Sequence, residues 1–133
     1  MRIDIKTRVR EELVDVTRLV ADAVASSSVS EGAALVYCPH TTAGITVNEH
    51  ADPDVAADIV AWLSEVCTRD WRWRHVEGNA DAHVKATLVG SSALVPVRGG
   101  RLDLGTWQGV FFCEFDGPRS RHFDVQMLGS ANQ

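Results

Sequence analysis

The sequence predicts an α+β domain with a largely antiparallel, β-sandwich-like core flanked by about three helices. Three observations point to it. Short strand-like runs follow one another through turn signals, not regular helical crossovers. Three segments change to a helical period. The chain has 133 residues, 45% apolar and 23% charged, which suits one ordinary domain whose core closes without disulfide staples. Residues 1–133 are therefore read as a single domain.

Ile3, Ile5, Thr7 and Val9 alternate with mostly charged residues, as a half-buried strand does. From Thr17 the period changes. Leu19, Val20, Ala23 and Val24 share one helical face, with Thr17 placed to cap the start and Gly32 beyond the end. Ala33–Cys38 is a short apolar run, hence a buried strand, and Ile45–Val47 is its expected pairing partner. Asp52-Pro53 opens a second helix, because Asp52 can cap and Pro53 suits the first helical position. Val55, Ala56, Ile59, Val60, Leu63 and Val66 form its apolar stripe. Residues 68–78, with Trp71, Trp73 and three Arg, read as a loop. Asn79–Val89 is predicted as a short helix that starts on a capping residue and stops at Gly90. Ala93–Val97, Gly109–Phe115 and His122–Leu128 follow as strands, with Gly99-Gly100 and Gly117-Pro118 as turns. The sum is six or seven strands and three helices.

Eighteen acidic groups against thirteen basic give a net charge of −5, which argues against a general nucleic-acid binder. The charge is uneven. Residues 1–66 hold five basic and eleven acidic groups, residues 67–133 eight basic and seven acidic. Cationic groups for an anionic ligand are therefore expected in the second half. The first residues are charged at once, with no apolar stretch of an export signal, and no window approaches the roughly 18 apolar residues of a membrane span. Cys38, Cys67 and Cys113 lack metal-type spacing and are expected to be reduced, buried thiols of a cytoplasmic protein.

Four segments concentrate polar residues that a fold alone does not require. In Cys38-Pro39-His40-Thr41-Thr42-Ala43-Gly44, His40 suits a metal ligand, proton carrier or phosphate partner, and Thr41 and Thr42 offer donors to an anion. The plain alternative is a Pro-led turn bonded to its own backbone. In Asn48-Glu49-His50, Glu49 suits a metal ligand or general base, or else the acidic start of the next helix. In His75–His83, Asn79 and His83 lie four apart. His83 and Lys85 can meet an anion, or His83 can join His40 and Glu49 around a divalent metal. The last segment pairs Gly105-Thr106-Trp107-Gln108 with Asp116-Gly117-Pro118-Arg119-Ser120-Arg121. Trp107 can lie against a ring, Gln108 can bond its edge, and Arg119 and Arg121 carry the planar fork that binds phosphate. A core or interface Trp and a solubilising hairpin tip are the plain alternatives.

Taken in order, Pro39-His40-Thr41-Thr42, Asn48-Glu49, Asn79-Ala80-Asp81-Ala82-His83, Gly105-Thr106-Trp107-Gln108 and Asp116-Gly117-Pro118-Arg119 resemble the YjbQ family. That family is also termed UPF0047 or the secondary thiamine-phosphate synthase enzyme family. The resemblance runs from the first strand to about Leu128. It implies a compact α+β fold assembling as a homotrimer, with motif clefts near subunit boundaries. It also implies a transferase activity that joins hydroxymethylpyrimidine diphosphate to thiazole phosphate and releases pyrophosphate. On that view His83, Glu49 and Arg119 are catalytic, and Thr41, Thr42, Asn48, Lys85, Trp107, Gln108 and Arg121 bind the phosphorylated ligand. His40, His83 and Glu49 are the residues for a divalent metal, Mg or Zn. The alternatives are a metal-dependent hydrolase on that triad and a non-catalytic trimeric binder of a small phosphorylated metabolite. The Trp-rich Arg69–Arg74 loop departs from the family pattern and, if exposed, would rim the pocket and alter its ligand.

Overall fold

The run Gly109-Val110-Phe111-Phe112-Cys113 has no polar side chain, so a strand formed from it must be covered on both faces. The computed structural model, which describes residues 1–131, covers it that way. Along the chain run β1 (Arg2–Lys6), β2 (Glu12–Asp15), α1 (Thr17–Ser26), β3 (Val29–Tyr37), β4 (Ala43–Glu49), α2 (Pro53–Val66), α3 (Ala80–Val89), β5 (Ser92–Arg98), β6 (Arg101–Leu102), β7 (Gln108–Glu114) and β8 (Ser120–Ala131). The strands form a five-stranded sheet, β1-β8-β3-β5-β6, and a three-stranded sheet, β2-β7-β4, with every pairing antiparallel. Val110 and Phe112 of β7 face the core between the sheets, where they join Ala34, Val36, Ile45, Phe123 and Val125. Phe111, Cys113 and Phe115 face the opposite way and pack on Leu63 and Ala82 of α2 and α3. Val20, Ala23 and Val24 of α1 enter the first core. The expected α+β sandwich with three helices is therefore present.

Four local expectations need correction. Ile45–Val47 does not pair with Ala33–Cys38: β4 pairs with β7, while β3 lies between β5 and β8 in the other sheet. The segment between them is too long for a tight hairpin and includes Pro39, so the chain crosses from one sheet to the other. The two strands then meet face to face through Ala34, Val36, Ala43 and Ile45 in one core. Thr17 is the first helical residue of α1 and not its cap. Its N–H and Oγ1 both bond Asp15 Oδ1, and its Oγ1 accepts from Val110 N–H at 2.9 Å. Asn79 stands at the start of α3, but its side chain makes no capping bond. The short β2 and β6 add two strands whose residues are too few to show a period. Asp52 does cap α2, accepting from Asp54 N–H at 2.9 Å, with Pro53 behind it. All three cysteines are free and buried.

Two buried charge clusters tie these layers together. Glu114 at the end of β7 bonds Thr7 Oγ1 at 2.7 Å and Arg121 Nε at 2.9 Å, and a second Arg121 nitrogen bonds both Glu114 and Thr42 Oγ1. Glu114 is 0% and Arg121 5% exposed, so this pair joins the two sheets out of contact with water. The second cluster centres on Asp81 of α3. Arg10 grips it with two bonds of 3.0 and 3.1 Å, and Lys85 Nζ bonds it at 2.8 Å and reaches Glu11 as well. Burial opposes the charge on both carboxyls. The hydrogen bonds from Arg121 and Thr7, and from Arg10 and Lys85, outweigh it and hold Glu114 and Asp81 below their usual range.

Removing one member of such a pair leaves its partner charged and unsolvated. Glu114→Gln should therefore cost about 3–5 kcal/mol in denaturant unfolding at pH 7. Because the two carboxyls titrate lower folded than unfolded, their contribution is complete above the ordinary values of 4.5 and 3.8. It is lost as pH falls through the folded-state values. Unfolding free energy should thus lose this contribution only as pH falls below 4.5, and lose less in Glu114→Gln than in wild type.

Candidate functional site

The crossing from β3 to β4 carries His40, Thr41 and Thr42, and its direction is set from both sides. Thr42 is buried, with its hydroxyl and carbonyl on Arg121. Gly44 sits against the turn after α3: a Cβ there would come within 2.5 Å of Gly90 O. Ile45 N–H bonds Gly90 O at 3.0 Å and Cys38 N–H bonds Ser91 O at 2.8 Å. The crossing therefore lies along the C-terminal part of α3 and the residues after it. The result is a cleft of about 480 Å³ lined by His40, Thr41, His83, Thr87 and Ser91.

His40 is held edge-on to His122, ring centroids 4.9 Å apart, and its Nε2 meets the main-chain N–H and C=O of His122 at 3.1 and 3.0 Å. Nδ1 is the nitrogen left for another partner. Burial, together with the nearby charge of Arg121, lowers the His40 pKa, so the ring is neutral at pH 7. His83, on the opposite wall, packs edge-on against His75 with centroids 5.2 Å apart. His75 Nε2 is 3.0 Å from Asn79 Oδ1, Asn79 Nδ2 donates to Asp116 Oδ2 at 2.8 Å, and Arg119 donates to the same oxygen at 3.1 Å. A ring contact followed by hydrogen bonds thus links the cleft wall to the β7–β8 turn.

The other predicted residues divide into two groups. Lys85 and Arg121 are 1% and 5% exposed and their charges are met by internal carboxylates, Lys85 by Asp81 and Glu11, Arg121 by Glu114. Both were expected at a ligand, but their heads point into the fold. Asn48, Glu49, Trp107 and Gln108 lie at the far end of the three-stranded sheet, where Glu49 is paired with Gln108. There Asn48 Oδ1 accepts from Glu49 N–H, Glu49 from the N–H groups of Ala51 and Asp52, and Gln108 from Gly105 N–H. Trp107 is 63% exposed. From Ala43 to Glu49 an extended strand spans about 20 Å, so Glu49 does not meet His40 and His83 within the chain. No group of three or more His, Cys, Asp and Glu side chains among the described residues is placed to hold a metal. His40 and His83 alone fall short of the three or four donors that Zn takes, so one chain does not supply the expected triad. Another polar depression of similar volume, on β1 and β8, is lined by Arg2, Asp4, Lys6, Arg121 and His122, and there Arg2 bonds Asp4.

Missed from sequence were Thr87 and Ser91 on the cleft, and His75, Asn79 and Asp116 as one connected line. The spacing His75, Asn79, His83, four and four, was the available signal. Burial raises the three thiols, Cys113 to about 12, and Cys38 and Cys67 above their ordinary values. Two outcomes follow. The native protein should show no fast-reacting thiol with an aromatic disulfide reagent at pH 8, and three in denaturant. His40 should titrate below 6.5 by NMR.

The chain matches the family model described as "UPF0047 protein YjbQ-like" over residues 1–130. It is 52% identical over 128 residues to a UPF0047 protein of Methanocaldococcus jannaschii, covering 96% of this chain and 93% of that one. It is also 52% identical to the UPF0047 protein YugU of Bacillus subtilis, covering 96% and 97%. Among solved structures, a protein of the YjbQ/UPF0047 family from Clostridium acetobutylicum superimposes with a TM-score of 0.94 at 50% identity, covering 96% and 99% of the two chains. A YbjQ-like protein of unknown function from Sulfolobus solfataricus does so with 0.94 at 38%, covering 98% and 96%. With the fold and nearly the whole length in common, this chain belongs to the UPF0047/YjbQ-like family.

Proposed function

We propose that the chain is an enzyme that works on a small phosphorylated metabolite in the His40–His83 cleft, by a transfer of the secondary thiamine-phosphate synthase type. The observation that carries this is the convergence of two histidines with Thr41 and Ser91 on one cleft large enough for a metabolite. In such a transfer the ring nitrogen of thiazole phosphate bonds the methylene carbon of hydroxymethylpyrimidine diphosphate. The C–O bond breaks, and its electron pair leaves with pyrophosphate. The attacking nitrogen uses its own lone pair, so no base is needed. The demand is for donors to the leaving oxygens, which the imidazole N–H groups and the hydroxyls of Thr41 and Ser91 meet, while Thr87 Oγ1 donates to His83 O at 3.0 Å. Arg119, half-exposed on Asp116, orients the Asn79–His75 side of the wall and is a positioning residue in this scheme.

A homotrimer in the cytoplasm belongs to the same proposal. An apolar groove of about 570 Å³, which includes exposed Trp62, Val66 and Leu88, supports assembly. Three thiols without disulfides suit a reducing compartment. No helix among the described residues is long and apolar enough to cross a membrane. Light scattering should then give about three times the 14.5 kDa chain mass, and a monomeric mass would overturn the assembly.

Turnover is tested with the pyrimidine diphosphate and thiazole phosphate as substrates. His83→Ala should lower kcat/KM by about 10² or more. No product from wild type, or equal rates from wild type and variant, would overturn the assignment.

A further inference from the structure

On the other side of His83 lies a second cavity, of about 360 Å³, between α3 and the 68–78 loop, and Trp73, Arg74 and His75 line it with His83. We propose that this cavity is an anion subsite that takes a phosphate or diphosphate group of the metabolite whose remainder lies in the His40–His83 cleft, with Arg74 as its cation.

The charges around the cavity favour this assignment. Arg74 and His83 carry nitrogen donors, and no carboxylate is among the residues that line the cavity. Two nearby acids are engaged elsewhere: Asp81 by Arg10 and Lys85, Asp116 by Asn79 and Arg119. Glu77 lies 3.8 Å from His75 Nε2, the nitrogen that also meets Asn79. Among the described residues Arg74 has no ion pair or side-chain hydrogen bond, whereas Arg10, Lys85, Arg119 and Arg121 are each bound to a carboxylate. Its head contributes nothing visible to the fold and is free for a ligand.

The loop that offers Arg74 is also held in place. Trp73 Nε1 donates to Thr68 O at 3.0 Å, and Arg69 Nε donates to Gly78 O at 3.0 Å. Trp71 packs against Trp73 with centroids 4.7 Å apart. Asn79 adds a constraint on protonation. Its Nδ2 is committed to Asp116, so its Oδ1 faces His75 and accepts from Nε2–H. The neutral His75 ring therefore carries its proton on Nε2, where it serves Asn79, and leaves Nδ1 as an acceptor. His83 is common to both cavities, so a ligand lying along it would fill the cleft and the subsite together.

The subsite rests on the phosphorylated-metabolite reading of the cleft, and its test does not need turnover. Inorganic pyrophosphate is titrated calorimetrically into the full-length protein, into Arg74→Ala and Arg74→Gln, and into Arg72→Ala. Arg72 lies over Trp71, 5.3 Å from the ring centroid, and does not line the cavity, so its removal controls for lost net charge. Pyrophosphate affinity should fall at least tenfold in both Arg74 variants and less than twofold in Arg72→Ala. No binding to wild type at millimolar pyrophosphate, an unchanged affinity without Arg74, or equal losses in all three variants would overturn the subsite. Failure of the transfer assay with the Arg74-dependent binding intact would sink only the reaction assigned above. Transfer with Arg74→Ala as efficient as wild type would sink the subsite and leave that reaction standing.

Discussion

The bond between Arg121 and Glu114 joins the five-stranded sheet to the three-stranded one, and it does so with both groups removed from water. Glu114 ends β7 and Arg121 is the second residue of β8, so the pair also closes the turn between them. Its reach extends further. Thr7, just after β1, donates to Glu114, and Thr42 in the β3–β4 crossing accepts from Arg121. A charge pair this deep is retained only when its remaining donors and acceptors are satisfied. Here those are the groups that fix the crossing on which His40 stands. The cleft is therefore placed by electrostatics inside the fold as much as by apolar packing.

The Asp81 cluster does the corresponding work for the opposite wall. Arg10 and Glu11, in the link between β1 and β2, clamp α3 through Asp81 and Lys85, and Ser64 of α2 bonds Glu11. Asp81 and Lys85 are a turn apart on the buried side of α3, which leaves His83 turned toward the two cavities. Cationic side chains around the cleft walls thus divide by partner. Those that meet carboxylates hold the frame, and Arg74, which meets none, faces a cavity.

Much of the frame was legible along the chain. The Asp52-Pro53 start of α2, the stop of α3 at Gly90 and the uninterrupted apolar run of β7 are local signals, and each stands where expected. The partner of a strand is not a local property. Ile45–Val47 reads the same whether its neighbour is β3 or β7, and only the shared core between the sheets selects β7. The same holds for side-chain roles. Asn79 has the sequence features of a cap, yet Asp116, thirty-seven positions away, and His75 take its side chain.

By itself the sequence determined the class of the fold, most of its elements, the reduced and buried state of its cysteines and the segments rich in polar chemistry. These follow from period, turn chemistry and the cost of burying apolar runs, all properties of neighbouring residues. Only the tertiary structure decided which of those segments meet. It brought His40 and His83 to one cleft and left Glu49, Trp107 and Gln108 at the other end of β4 and β7. It also turned Lys85 and Arg121 inward. The physical reason is that an extended strand carries its two ends about 20 Å apart, and that a cation's role is set by whichever carboxylate the fold brings beside it.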